Sequence, residues 1–357
     1  MIHVGLDMHK KFSEVAVMES DGRLLDRRRL IHADKQGIHN YFSDLPAPVT
    51  VTMESTRTWY WLYELLEEYA DVKLANPRKV RLIAEAKVKT DKIDARTLAH
   101  LERTGFLPES YIPPREIRDK RELLRYRASL VSIRTGVKNR THALMDKLGV
   151  IHPFSDLFRK AGREFLATLE LRPIYRRALD GYLQLIEWLE ELERDVTAEI
   201  TKMIKDNTDA KRLMTIPGVG VITANLLLCE IGDIERFPSA KKLCSYGSLT
   251  PGTKQSSDHV WNGPVGRKGN LYIKWAMIEA AQHATHMDPA LGSFYDKLRL
   301  SKGNSKARVA VARKLLTAVF YILKRKEEYK PNSLCTIHLG KPVSLPGHRR
   351  TVVPAQW

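Results

Sequence analysis

The sequence predicts a mixed α/β domain followed by two mainly helical regions, and three observations support this. Up to about residue 75, short β-branched runs alternate with helical patterns. Two long stretches with helical periodicity then follow. The last third combines apolar helical patterns with Gly-rich turns. We therefore predict an α/β domain at 1–112, a long-helix region at 113–208, a mainly α domain at 209–330 and a tail at 331–357.

Five strands and four helices are expected in the first domain. Val15 and Val17 share one face of the second strand, and Asp21-Gly22 is a strong hairpin signal before the third. The strands are predicted at 2–8, 14–19, 23–31, 48–54 and 72–75, and the helices at 35–45, 56–69, 77–87 and 91–104. Three consecutive strands followed by alternating helices and strands indicate a mixed sheet covered by helices.

The middle region is predicted to form two long helices, at 116–148 and 174–205. The apolar residues of the second helix lie close to coiled-coil spacing, which favours an antiparallel coiled coil or a dimer seam. A plain helical core fits the same residues equally well. In the last domain we expect a Gly-rich loop around 262–270 and helices near 271–286 and 305–328.

The positive charge is concentrated in the last third of the chain. The 357 residues include 59 Lys and Arg against 42 Asp and Glu, a formal net charge of +17. Residues 1–240 carry 39 basic and 36 acidic side chains, whereas residues 241–357 carry 20 and 6. This asymmetry predicts a polyanionic partner, although a basic surface that only confers solubility has the same composition.

Several protein classes do not fit the sequence. No uncharged apolar run approaches the roughly 18–20 residues that span a bilayer, and the N-terminus lacks the layout of a signal peptide. The three cysteines lie far apart and lack zinc-ligand spacing. We therefore expect reduced, structural cysteines in a cytoplasmic protein that makes no membrane contact.

Four acidic residues stand at positions that suit metal binding. Asp7 lies within an apolar strand, Glu54 ends another strand, and Asp91 and Asp94 share one face of a predicted helix. Clusters of carboxylates are typical sites for Mg²⁺ or Mn²⁺, and paired ions can stabilise the displacement of a phosphate oxygen. Alternatively, Asp7 is a structural strand residue, and Asp91 and Asp94 only stabilise a helix N-terminus.

The segment around Gly218 and Gly220 has the form of half a helix-hairpin-helix. Glycines permit a tight turn here, and the backbone amides that open the next helix can hold a DNA phosphate. An ordinary turn between two core helices would look the same. Further along, a polar stretch contains Ser256 and Ser257 and precedes an apolar helix.

Together these features resemble the DEDD-type insertion-sequence transposases, the bridge-RNA-guided recombinases that include the Piv-type DNA invertases. In that resemblance the four acids correspond to the metal-binding tetrad of a RuvC-like domain with an RNase H fold. The C-terminal serine pattern of the family is matched without a gap by Gly247, Pro251, Ser256, Gly263 and Gly269-Asn270. The resemblance covers about residues 1–325.

The resemblance implies that a serine attacks DNA and forms a phosphoserine intermediate, aided by metal ions on the tetrad. Ser256 fits the register best. The family often has Gly after this serine, whereas Ser257 and Asp258 follow here, so Ser257 remains the second candidate. The resemblance also implies donor and target DNA, a structured non-coding guide RNA encoded by the same element, and a homo-oligomer, a dimer or tetramer, with an active site shared between subunits.

Candidate contacts to nucleic acid come from three basic groups, each of which could instead be a solvated surface. These candidates are Lys254, Arg267 and Lys268 near the serine, Arg78 and Lys79 in the first domain, and Arg121 and Arg125 on the first long helix. Two other functions share parts of the pattern. A RuvC-like junction endonuclease would use the same acids with water as the nucleophile, and a non-catalytic nucleic-acid-binding regulator would need no acid.

Overall fold

The computed structural model describes residues 1–56, 58–83, 90–204, 207–256, 259–266 and 269–331. The chain forms two compact units, which meet in sequence between Pro114 and Arg115. Among the described residues, no helix combines the length and the apolar character needed to cross a membrane. The predicted tail lies outside the described residues from position 332 onward.

A six-stranded mixed sheet forms the centre of the first unit, in the strand order β3-β2-β1-β4-β5-β6. β1 pairs antiparallel with β2 and parallel with β4, and β5 lies parallel to β4. The strands are β1 (Ile2–Met8), β2 (Phe12–Glu19), β3 (Leu24–Ile31), β4 (Val49–Glu54), β5 (Asp71–Ala75) and β6 (Glu109–Ser110). The predicted mixed α/β sheet is confirmed, and its topology is compatible with an RNase H-like domain.

Helices cover both faces of this sheet. They are α1 (Lys35–Ser43), α2 (Trp59–Leu66), α3 (Pro77–Ile83) and α4 (Asp91–Arg103). The β1 residues Val4, Leu6 and Met8 belong to one buried cluster with residues of α1 and α2. The alternate β1 residues point to the opposite face, because side chains of a strand alternate between the two faces of its sheet.

The second unit is mostly helical, as predicted. Its first part contains α5 (Arg115–Lys147), α6 (Lys160–Thr168) and α7 (Pro173–Ile204). Arg127 contacts Glu193 in the second half of α7, whereas Lys147, at the end of α5, lies over the ring of Tyr175 near the beginning of α7. The two long helices therefore pack antiparallel. The supercoiling of this pair stays a prediction.

The last part of the second unit builds a separate apolar core. It contains α8 (Thr208–Leu213), α9 (Val221–Ile231), α10 (Ala240–Tyr246), α11 (Leu271–Met287), α12 (Pro289–Lys302) and α13 (Asn304–Arg325). Between α10 and α11 lies an antiparallel hairpin of β7 (Pro251–Ser256) and β8 (His259–Val265). The expectation of a Gly-rich loop around 262–270 is therefore wrong up to Val265, which is the last residue of β8.

Candidate active site

Asp7 and Glu54 lie at the carboxyl ends of two neighbouring parallel strands. β1 and β4 pair in register until Leu6 lies opposite Met53. One further residue along both strands brings Asp7 beside Glu54, and neighbours in a parallel pair point to the same face. Both side chains are half-buried. The sheet register therefore brings together two of the four predicted acids.

A glycine allows α4 to approach this face of β1. A Cβ atom on Gly5 would lie 1.9 Å from the carbonyl oxygen of Ala95 and 2.6 Å from the backbone nitrogen of Ala99. Since neither backbone atom can move without moving the helix, only glycine permits this packing. Gly5 and Asp7 are two residues apart and hence on the same face, so α4 covers the face that carries the acids.

The first turn of α4 supplies the other two acids, Asp91 and Asp94. Thr90 caps the helix by accepting a hydrogen bond from the amide of Ile93. At the other end of the domain, His3 of β1 pairs with Glu102 near the end of α4. The helix therefore runs antiparallel to β1, and its first turn lies at the Asp7 end of the strand.

His9 is part of this site, and the sequence analysis missed it. Its Nε2 atom lies 3.2 Å from a carboxylate oxygen of Asp7 and 3.1 Å from one of Asp91. The ring stacks on Phe12, with 4.7 Å between the centroids. One feature of the sequence could have indicated His9: it follows Asp7 by two residues, the spacing of side chains on one face of a strand. Its position just after β1 gives no other indication of a role.

The environment of Asp7 does not favour its ionised form. Burial is the largest influence and raises the pKa of the Asp7 carboxyl. His9 lowers this pKa through its charge and its hydrogen bond, while the charges of Asp94 and Asp91 raise it further. The net pKa is above the usual range, because burial and repulsion outweigh the attraction of His9. The ionised carboxylate of Asp7 therefore needs stabilisation from its surroundings.

The donor set of this site suits a divalent cation. One ligand atom each from Asp7, His9 and Asp91 lies within 4.8 Å of the other two. Carboxylate oxygens are the ligands that Mg²⁺ prefers, and an added imidazole is also compatible with transition metals. The raised pKa of Asp7 is the feature that a bound cation would reverse, since a positive charge favours the ionised carboxylate.

Ser256 belongs to the hairpin of β7 and β8 in the second unit, which we call the serine hairpin. It is the last residue of β7 and pairs with His259, the first residue of β8. Lys254 belongs to the same strand and pairs with Trp261. The backbone of Ser256 and Lys254 is described, and their side chains lie outside the described part. Ser257 lies outside the described residues, as do Arg267 and Lys268.

Glycines of the same motif hold the base of this hairpin. A Cβ atom on Gly269 would lie 2.2 Å from the carbonyl oxygen of Tyr246, and its amide donates to Ser248 Oγ at 2.7 Å. Asn270 caps α11 by accepting hydrogen bonds from Tyr272 and Ile273. The Gly269-Asn270 pair therefore joins the hairpin to α10 and α11 in one backbone arrangement.

Comparison with known proteins places both regions in one family. A family model for transposases, DEDD_Tnp_IS110, matches residues 4–150, which contain the acid cluster. A second model, described as "Transposase IS116/IS110/IS902 family", matches residues 210–296, which contain the serine hairpin. The chain belongs to the IS110 family of insertion-sequence transposases. Its predicted enzyme class, a DNA transposase or recombinase, is thereby confirmed.

Individual relatives cover this transposase to different extents. The transposase of insertion sequence IS1328 from Yersinia enterocolitica is 26% identical over 78% of this chain and 82% of its own length. A probable family 20 transposase from Pseudomonas aeruginosa is 25% identical over 92% of this chain and 98% of its own. The pilin gene-inverting protein of Moraxella bovis is 32% identical over 34% of this chain and 39% of its own.

The predicted phosphate-binding turn of the transposase lies between α8 and α9. Gly218 has a φ of +81°, and a Cβ atom there would lie 2.4 Å from the carbonyl oxygen of Ala280 in α11. Glycine at this position is therefore explained by packing. Gly220 is exposed and precedes the first turn of α9. Phosphate binding by the α9 amides stays a prediction, as does the helix-hairpin-helix form.

Arg121 and Arg125 have structural roles in the transposase, which corrects their prediction as nucleic-acid contacts. Arg121 is buried and donates to the carbonyl oxygen of Cys229 at 2.6 and 3.1 Å. Arg125 forms a two-point ion pair with Glu230, at 2.7 and 2.9 Å. Glu230 is fully buried and also accepts a hydrogen bond from Asn270 at 2.7 Å. Both guanidinium groups therefore join α5 to α9.

The remaining basic candidates whose side chains are described are in the first unit. Arg78 and Lys79 open α3 and are exposed. No ion pair with a carboxylate engages either of them among the described residues. They remain candidates for contact with the DNA backbone, whereas Arg121 and Arg125 do not.

Proposed function

We propose that this transposase cuts and rejoins DNA through a phosphoserine intermediate formed by Ser256. The acids Asp7, Glu54, Asp91 and Asp94, together with His9, would bind divalent cations at the end of the sheet. The observation that carries the proposal is the convergence of these side chains from β1, β4 and α4. Three elements far apart in sequence supply these acids, and burial together with the charges of Asp94 and Asp91 raises the pKa of Asp7.

The cations that this donor set fits best are Mg²⁺ and Mn²⁺. When bound, such a cation would offset the negative charge that develops on the phosphate oxygens during displacement. The residues of the chain have separate tasks. Asp7 and Glu54 are fixed by the sheet register, and Asp91 and Asp94 are fixed by the N-terminal turn of α4, so the oxygen ligands are arranged before any substrate binds.

The serine step conserves the energy of the phosphodiester bond. The Ser256 oxygen forms a bond to phosphorus, the bond between phosphorus and one deoxyribose oxygen breaks, and the serine proton passes to that leaving oxygen. Rejoining reverses these changes with a deoxyribose hydroxyl of another strand. One phosphoester is exchanged for another in each step, so no external energy source is needed. This economy distinguishes rejoining from hydrolysis, where water consumes the bond.

The proposal also includes the partners that the family resemblance implies. Donor and target DNA would be selected through a structured guide RNA encoded by the same element, and the protein would contact backbone and shape. We infer a homo-oligomer, a dimer or tetramer, as the working form. Light scattering of the purified transposase, with and without its RNA, measures the subunit number directly.

Strand exchange between donor and target plasmids tests the proposed function. The reaction contains purified transposase, the RNA transcribed from the sequence that flanks its gene, and MgCl₂. We expect exchange by the wild type, and none by Ser256→Ala or without RNA. The matched control is Ser245→Ala, which changes a serine of α10 outside the hairpin. Normal exchange by both Ser256→Ala and Ser257→Ala would contradict the serine mechanism.

The same reactions separate the two other functions. Cleaved ends without joined products, together with no effect of Ser256→Ala, would indicate an endonuclease that uses water. Unchanged DNA with every variant would indicate a non-catalytic binding protein. Omission of RNA tests the guide separately, because exchange without RNA would contradict guidance and leave the serine chemistry standing.

A further inference from the structure

A pocket lies between the serine hairpin and helices α12 and α13, and the proposed reaction does not use it. Its volume is about 700 Å³, within the range of roughly 300–1,000 Å³ typical of small-molecule sites. The hairpin forms one wall through Pro251, Gly263 and Val265. Helices α12 and α13 form the opposite wall. The pocket therefore joins the element that carries Ser256 to the helical core of the second unit.

The inner surface of the pocket is apolar. Phe294 is its largest side chain, and Leu249, Leu298, Val309 and Ala310 surround it. Phe294 is half-buried and packs against the core of the second unit, which fixes the position of its ring. A flat aromatic ring among aliphatic side chains is the kind of surface on which a nucleic-acid base packs or stacks.

Cationic side chains accompany this apolar surface. Lys302, Lys306, Arg313 and Lys314 line the pocket, and none of the described residues that line it is acidic. Lys314 Nζ lies 4.2 Å from the centroid of the Phe294 ring. Across the described part of the chain, Lys302, Lys306 and Arg313 make no ion pair with a carboxylate. Positive charge that the protein itself leaves unpaired suits a phosphate group.

We propose that this pocket holds one unpaired nucleotide of a DNA strand, with its base on the apolar surface and its phosphate among the cations. Neither feature alone selects a nucleotide. Together, the aromatic ring suits the base and the unpaired cations suit the phosphate. A base within a duplex is stacked and paired, so the nucleotide must be extruded or already single-stranded.

The position of the pocket relates it to the cleavage site, and this step rests on the proposed role of Ser256. β7 runs from Pro251 in the pocket wall to Ser256. Five steps of about 3.3 Å give a distance of roughly 17 Å, equal to about five base-pair steps of 3.4 Å. The nucleotide held in the pocket therefore lies a few positions from the phosphate that the serine attacks.

Two probes of equal charge test the proposal with the full-length protein. One is oligothymidine of about 15 nucleotides, and the other is the same backbone with abasic sites throughout. Binding is measured by fluorescence anisotropy without divalent cations. Phe294→Leu keeps an apolar side chain but removes the ring. We expect it to weaken oligothymidine binding about tenfold and abasic binding less than about twofold, since stacking on an aromatic ring is worth about this factor.

Controls make each outcome decisive. Phe106→Leu changes a phenylalanine of the first unit that is 70% exposed, and it should leave both affinities unchanged. An equal effect of Phe294→Leu on both probes, or no effect, would overturn the proposal. Oligouridine serves as a third probe. If Phe294→Leu weakened binding of oligouridine and not of oligothymidine, the proposal would also be overturned, because the pocket would then take RNA.

A second variant covers the case in which Phe294→Leu does not fold. Lys302 and Lys306 are exposed, so the double change Lys302→Gln with Lys306→Gln leaves the core intact. It should weaken both probes and reduce the salt dependence of binding by about 0.7 per lost phosphate contact; an unchanged salt dependence counts against the pocket. Probe binding by Phe294→Leu and strand exchange by Ser256→Ala are separate measurements, so failure of the serine mechanism and failure of the pocket give different results.

Discussion

Two acidic sites of this transposase differ in the partners of their carboxylates. In the first unit, Asp7 is crowded by Asp91 and Asp94, and its pKa is raised by burial and by their repulsion. In the second unit, Glu230 is fully buried, yet Arg125 binds both of its oxygens and Asn270 donates to one of them. Arg125 therefore neutralises Glu230 within the fold, whereas the ionised form of Asp7 is disfavoured and a bound cation would favour it. The two sites differ in the partner of the carboxylate, which is an imidazole at Asp7 and a guanidinium at Glu230.

The largest effect is expected where neutralisation is complete. Glu230→Ala removes the carboxylate that Arg125 binds. Loss of one partner from a buried ion pair costs about 3–5 kcal/mol of the free energy of unfolding, measured by denaturant titration. Glu187→Ala is the matched control, because its side chain is 65% exposed beside Arg163, and it should cost less than about 1 kcal/mol. Equal losses would remove the distinction between buried and surface pairs.

The opposite pattern is expected for Asp7→Asn, which removes a charge that the fold does not need. Stability should stay the same or rise, because the repulsion with Asp91 and Asp94 disappears. Strand exchange should fall at least about a hundredfold, the loss typical when one group that stabilises developing charge is removed. Asp44→Asn, at an exposed position after α1, is the control. If Asp7→Asn lowered stability and left strand exchange unchanged, Asp7 would have a structural role instead of a role in the reaction.

Metal binding distinguishes the Asp7 site from the Glu230 site without any DNA. Saturating MgCl₂ or MnCl₂ should stabilise the wild type against thermal unfolding, by about 2.7 kcal/mol at a concentration a hundredfold above Kd. Asp7→Asn should abolish this shift, since Asp7 supplies one of the clustered ligand atoms. Glu230→Ala should retain it. A shift that persists in Asp7→Asn would place the cation elsewhere.

A smaller effect is expected from the glycine that lets α4 approach the sheet. Gly5→Ala would place a Cβ atom 1.9 Å from the Ala95 carbonyl oxygen, and overpacking of this kind costs about 1–3 kcal/mol. Gly181→Ala in α7 meets no atom within 4 Å and should stabilise the chain by about 0.5–1 kcal/mol. The two changes are chemically identical, so effects of the same sign would contradict the packing that brings α4 to Asp7.

The smallest effect concerns the cations. Arg78→Gln should lower the slope of log affinity for duplex DNA against log salt by about 0.9, the value for one phosphate contact. Arg125→Gln should leave this slope unchanged while lowering stability, because Glu230 already neutralises that guanidinium. A reduced slope with Arg125→Gln would restore it as a DNA contact.

Only part of the acid cluster could be predicted from regular elements. A helical spacing of three places Asp91 and Asp94 on one face, whereas their grouping with Asp7 and Glu54 was implied by the resemblance to DEDD-type transposases. His9 could not be predicted in the same way, since it lies beyond the last residue of β1 and its partner Asp91 comes from another element. The sequence pattern identifies elements well, and contacts between elements only where a motif links them.

The basic residues show the same limit. Arg121 and Arg125 have the spacing of a solvated helix face, and nothing local reveals that Glu230 lies opposite them, about a hundred positions away. The hairpin of β7 and β8 was missed because Pro and Gly occur in both strands and the residues lack the alternation that marks a half-buried strand. The pocket behind it combines residues of four elements and has no signature in any one of them.

The phosphoserine intermediate can be detected through the mass of the peptide that becomes joined to DNA. The transposase is incubated with donor and target DNA and RNA, denatured during the reaction, and digested with trypsin. We predict a nucleotide adduct on the peptide 255–267, with fragment ions that place it on Ser256. An adduct on Ser257 would move the nucleophile by one residue and keep the chemistry. Cleaved DNA with no protein adduct would contradict a phosphoserine intermediate.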